Sequence, residues 1–163
     1  WRIDPARLSL IRREALDSLV QSLYGGPSSS FRDEVGTALV LYSQSALKSV
    51  PAEKLLAILL PLEAFLLRNA SEPIMDNISL RLAFAIGESV DERKRIVADT
   101  KAAYTMRSAY VHHRIQVDRQ EDIETLRAFM RYAWRFFLGL GNLSSQYPSR
   151  EAYLAALDDR KLA

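Results

Sequence analysis

The chain has 163 residues and a mass of 18.5 kDa, the length of one domain. Apolar residues make up 48% and charged residues 26%, a balance that argues against disorder. Cysteine is absent, which excludes disulfides, thiolate metal sites and thiol chemistry. The only two histidines are His112 and His113, which excludes a His-rich zinc or di-iron centre but leaves an all-carboxylate magnesium site open. No metal or cofactor is expected. Twenty-two basic residues against 20 acidic ones give +2 and a pI near 9.0, which permits nucleic acid without announcing it. Of the basic residues 17 are Arg and 5 are Lys. That bias leans toward phosphate ligands, although an arginine-rich proteome explains it equally well.

The longest apolar run, Leu55 to Leu62, falls far short of the roughly 20 residues that span a bilayer. The opening WRIDPARLSL lacks the apolar core of a signal peptide, so a cytoplasmic location is expected. It also lacks an initiator Met, and a trimmed fragment of a longer chain is the matching expectation.

Helical periodicity runs through the whole sequence, without hairpin signals or β-branched runs. A first helix is predicted from about Pro5 to Tyr24. Leu8, Ile11, Ala15, Leu19 and Leu23 form its stripe, Asp4 its N-cap and Gly25-Gly26-Pro27 its stop. A second runs from about Phe31 to Lys48. A third follows Pro51 and reaches about Asn69, with a kink rather than a break at Pro61. A fourth covers about Ile74 to Glu88. A fifth runs from about Asp91 to His113, its acidic start suiting the helix dipole. A sixth spans about Arg119 to Leu140, with Gly139 and Gly141 near its end. The last, from about Ser149 to Leu162, opens on Ser149 as N-cap. The expected fold is all-α, one domain over 1–163, a bundle of six to seven helices.

Two charges interrupt apolar faces. Glu63 lies in LLPLEAFLL and Arg81 in ISLRLAFAI. A buried charge costs several kcal/mol unless it is paired, to order of magnitude. Either the two pair with each other as a structural polar pair, or Glu63 meets another core Arg, or each occupies a wet edge of its helix.

The stretch YTMRSAYVHHR, Tyr104 to Arg114, holds both histidines, an Arg and a hydroxyl. Ser108 and His112 are one turn apart on one face, and Tyr104 extends that ridge a turn earlier. Arg107 and His112 are five apart, so their Cβ directions differ by roughly 140°. An Arg that holds phosphate and a His that moves a proton suit attack of an RNA 2′-hydroxyl on the adjacent phosphate. The bland alternative is a helix-end His satisfied by solvent or a carbonyl, and a Ser108 bonded to its own backbone.

The pattern Arg107-Ser108-Ala109-Tyr110-Val111-His112 resembles the R-x(4–6)-H mark of the HEPN superfamily. The fuller pattern is similar to its ApeA-like group. Leu62-Glu63-Ala64-Phe65-Leu66 matches an "LEALL"-type segment, and Ser79-Leu80-Arg81-Leu82-Ala83 partly matches an "LaxRxA"-type one. Asp91-Glu92-Arg93 matches an "eR" turn, and Tyr104, Arg107, Ser108, Tyr110, Val111 and His112 match the "Y..RS.yvH" block. The resemblance covers about 31–140. His113 stands where the group often has Gly, Pro61 where Ala is usual, and Ser108 where many HEPN nucleases carry Asn, Asp or His.

The resemblance implies a HEPN-like bundle and a metal-independent endoribonuclease acting as a homodimer, in phage defence or a toxin–antitoxin system. It implies Arg107 and His112 as catalytic residues, with Ser108, Tyr104 and His113 in support. RNA and a second copy are the expected partners, and an antitoxin or other protein partner stays unidentified. The rivals are a non-catalytic HEPN module for dimerisation or RNA binding in a larger protein, and a helical scaffold with no nucleic-acid role.

Arg127, Arg131 and Arg135, spaced by four, form a ridge on the sixth predicted helix, interleaved with Phe129, Tyr132, Trp134, Phe136 and Phe137. The ridge is expected either to track an RNA backbone or to be an ordinary solvated face, with Glu121 and Glu124 as nearby salt-bridge partners.

Overall fold

The computed structural model describes residues 29–161, so the predicted helix at Pro5–Tyr24 lies outside the described residues. The described residues form six α-helices and one 3-10 turn, with no strand among them. The helices are α1 (Ser30–Ser43), α2 (Pro51–Leu66), α3 (Ile74–Ile86), α4 (Val90–His113), α5 (Gln120–Gln146) and α6 (Arg150–Arg160). Among them no helix is long and apolar enough to cross a membrane.

Local chemistry explains most boundaries. The Ser29 hydroxyl accepts from the Arg32 N–H and opens α1, whose buried Phe31, Val35 and Ala38 share one face. The helix tightens into the 3-10 turn Gln44–Leu47. Val50 is extended, as a residue before proline prefers, and Pro51 takes the first position of α2. The Ser89 hydroxyl accepts from the Glu92 N–H to start α4, and the Glu92 carboxylate in turn accepts from the Glu88 N–H. Ser149 caps α6 through the Ala152 N–H.

Gly87 makes the tight passage from α3 to α4. A Cβ there would lie 2.6 Å from the Ala83 carbonyl oxygen and 2.6 Å from Cγ of Arg93, so only glycine fits.

Three helices end elsewhere than predicted, α1 giving way at Ser43 to the 3-10 turn short of the expected Lys48. α2 is one helix through the buried Pro61 but stops at Leu66, because Leu67 turns extended at φ −97° and ψ 141°. Its last carbonyls are taken by arginines distant in sequence. Arg81 donates to Leu66 O, and Arg150 donates to Ala64 O and Leu67 O. α5 runs past Gly139 and Gly141 to Gln146, beyond the predicted end at Leu140. Phe136, Phe137 and Leu140 are buried and Leu143 packs against the core, and that burial outweighs the helix-weakening glycines.

The core lies between α2, α3, α4 and α5. Leu55, Leu59, Leu62 and Leu66 of α2 meet Ile78 and Leu82 of α3, Ile96 and Ala103 of α4, and Phe129 and Phe137 of α5. α6 closes the assembly through Tyr153, Leu154 and Leu157.

Candidate functional site

Glu63 and Arg81 do not pair with each other. Arg81 is 1% exposed and is the hub of a three-helix clamp. Its guanidinium donates to both oxygens of Glu72 at 2.8 and 2.9 Å, to both oxygens of Asp158 at 3.1 and 2.9 Å, and to Leu66 O at 2.6 Å. Two bidentate pairs and one carbonyl use the whole fork, which a lysine could not do. Arg68 and Lys161 add further bridges to Asp158. Burial alone would raise the Asp158 pKa, but the hydrogen bonds from Arg81 and Lys161 outweigh it and hold the carboxyl at about 2. The Arg81 hydrogen bond also lowers the pKa of Glu72.

Glu63 is half-buried and takes a different partner. It accepts a hydrogen bond of 3.0 Å from the hydroxyl of Tyr104, which is 7% exposed. Burial raises the Tyr104 pKa and the neighbouring Glu63 carboxylate raises it further, while the charge of Arg107 opposes the rise. Glu63, Tyr104 and Arg107 therefore form one electrostatic neighbourhood at the seam of α2 and α4.

The remaining motif residues sit on the last two turns of α4. Arg107 is half-buried, whereas Ser108, His112 and His113 are exposed. The helix stops on Arg114 in the left-handed region, at φ 56° and ψ 25°. The Arg114 N–H is shared by the Ala109 and Tyr110 carbonyls, and the Ile115 N–H also reaches Ala109 O at 3.3 Å. The final turn is thus wider than a regular α-turn. The two imidazoles stand 6.4 Å apart at an interplanar angle of 63°, and both sit where positive charge suits the helix C-terminus. Among the described residues neither Arg107 nor His112 makes a hydrogen bond or ion pair, and nothing joins them to each other. Ser108 does not bond back to its own helix either. A cleft of about 170 Å³ lies on another face of α4, between Met106, Ala109, Val117 and Thr125, and neither Arg107 nor His112 lines it.

The arginine ridge is divided. Arg127 and Arg131 are exposed, and among the described residues neither has an ion-pair partner. Arg135 is committed to the fold, donating to Glu92 at 2.5 Å and to Ile86 O at 2.6 Å. Of the interleaved aromatics, Phe129, Phe136 and Phe137 are buried, Tyr132 donates to Asp99 at 2.9 Å, and only Trp134 is exposed. Among the described residues no group of three His, Asp or Glu side chains could hold a metal ion.

Sequence reasoning missed Glu72 and Asp158 as the partners of Arg81, and Arg150 as the cap of α2. Nothing local signals them, because each contact joins residues that only the packing brings together. The described residues make an all-helical bundle whose fourth helix seats Ile96, Ala103 and Tyr104 in the core and ends on two exposed histidines. Compared with protein-family models, curated proteins and solved structures, the chain finds no match.

Proposed function

We propose that this chain is a metal-independent endoribonuclease of HEPN type that works as a homodimer. The observation that carries the reading is the Tyr104–Glu63 hydrogen bond of 3.0 Å. It joins two segments of the HEPN-like pattern that lie 41 residues apart, and Tyr104 stands three residues before Arg107 on α4. In this reading Arg107 clamps the phosphate and His112 moves the proton, while Ser108 orients the substrate, the buried Tyr104 positions the turn that carries Arg107, and His113 lies beside the site. The roughly 140° between Arg107 and His112 is met by a two-fold axis that brings each residue of one copy opposite its counterpart. The product is a 2′,3′-cyclic phosphate and a free 5′-hydroxyl.

The second reading is a non-catalytic HEPN module for dimerisation or RNA binding. The divergence of Arg107 and His112, with no bond between them, favours it. One experiment separates the two. Purified protein is incubated with single-stranded RNA in EDTA, beside His112→Ala and Arg107→Lys, and its mass is read by sedimentation. Cleavage by a dimer that His112→Ala slows by about 10²-fold or more supports the nuclease. Arg107→Lys fails as well, because an ammonium lacks the bidentate grip. Protein that leaves RNA intact, as monomer or dimer, overturns the nuclease and supports the module.

A further inference from the structure

α1, its 3-10 turn, α2 and α5 enclose an open cleft of about 610 Å³ that is separate from the α4 terminus. Its inner side carries Tyr42 and Phe137, whose rings stack with centroids 4.2 Å apart. Met130 and Trp134 form the α5 side, and Trp134 is 50% exposed. Lys54 is the only charged side chain among the ten that line it. It is half-buried and, among the described residues, has no hydrogen-bond or ion-pair partner. Among the described residues Arg107 of α4 is also half-buried without a hydrogen bond or ion pair, but of the two only Lys54 lies beside this apolar surface.

From the apolar walls, the volume and the solitary Lys54 we infer that this cleft binds a small amphiphilic carboxylate, its tail against Trp134 and Met130 and its head on Lys54. The volume lies within the roughly 300–1,000 Å³ of small-molecule pockets, which are apolar with a few placed polar groups. A stable protein partner would need about 20–30 residues a side, more than this cleft offers. A nucleotide would meet one ammonium and no guanidinium here, a poor match for several phosphate charges. A carboxylate gives the half-buried ammonium the counter-charge it lacks. The Tyr42 hydroxyl makes no hydrogen bond among the described residues and remains available as a second donor.

The test uses the full chain with Trp1→Phe, which leaves Trp134 as the single indole. Decanoate, 1-decanol and decyltrimethylammonium are titrated below their aggregation thresholds while indole emission is read. The expected result is a saturable shift with decanoate, weaker binding of decanol and none of the cation. Lys54→Met should weaken decanoate about tenfold, the loss of one charge-assisted hydrogen bond, and leave decanol unchanged. Ala46→Phe, which fills the mouth, should abolish both, with circular dichroism and thermal unfolding showing each variant folded. Equal binding of decanoate and decanol, or decanoate binding indifferent to Lys54→Met, overturns the inference. So does a response that never saturates, or an acidic amphipathic peptide that shifts Trp134 where decanoate does not.

Discussion

Tyr104 of α4 donates its hydroxyl to the Glu63 carboxylate of α2 across 3.0 Å, and this contact ties the two helices together beside the core. Tyr104→Phe keeps the ring and removes the bond. Because Glu63 is only half-buried and can recover water, the expected loss is about 1 kcal/mol in urea unfolding. The bond also sets a pH dependence. Burial, then Glu63, raises the Tyr104 pKa, and burial raises that of Tyr153. A raised folded pKa contributes stability that is complete below the unfolded tyrosine value of about 10 and is lost as pH climbs above it. Stability should therefore fall above about pH 10, less steeply in Tyr104→Phe, and a flat profile to pH 11 would refute this.

Arg81 should be the most sensitive polar residue in the bundle. Replacing it with Ala or Met removes five hydrogen bonds, strips Leu66 O of its donor and leaves Glu72 with only the Arg68 N–H and Asp158 with only Arg68 and Lys161. A loss of about 3–5 kcal/mol is expected from chemical denaturation. Arg81→Lys should recover little, since the three donors of an ammonium cannot replace five in-plane guanidinium bonds, two pairs of them bidentate. Stability unchanged within about 0.5 kcal/mol would show that the clamp carries none of the fold's stability.

Asp158 gives the acid side of the profile. Its folded pKa is about 2, below the unfolded value near 3.9. A depressed carboxyl contributes stability that is present above its unfolded pKa and lost as pH falls through the folded one. The contribution is about 2 kcal/mol, lost between roughly pH 4 and pH 2. Asp158→Asn should lower stability at pH 7 and flatten this acid limb, as read by thermal melts across pH.

The three ridge arginines should separate by assay. Arg135→Gln removes the donor to Glu92 and Ile86 O and should lower the melting temperature. Arg127→Gln with Arg131→Gln breaks no ion pair among the described residues and should leave it unchanged. If the ridge tracks a single-stranded backbone, the double variant should reduce the slope of log affinity against log salt by about 1.4, near 0.7 per lost phosphate contact. An unchanged slope would make Arg127 and Arg131 an ordinary solvated face.

The helical class, the order of the helices within the described residues and several of their ends were legible in the order of residues. Apolar spacing, the Ser149 cap and Pro51 at a first helical position act within one turn of the chain, so they are visible in order of residues alone. The sequence also marked Glu63 and Arg81 as charges that need partners, because the cost of burying a charge does not depend on which partner meets it. Which partners they take depends on how the helices pack. Arg81 meets Asp158 across 77 positions and Glu63 meets Tyr104 across 41, separations at which no local pattern operates. Packing likewise carried α5 through two glycines, stopped α2 at carbonyls that Arg81 and Arg150 cap, and withdrew Arg135 from the ridge. At the candidate site the sequence supplied Arg107, His112 and their angular divergence. The fold added the Glu63–Tyr104 bond and the wide last turn, because both depend on how α4 is seated against α2 and where it leaves the core.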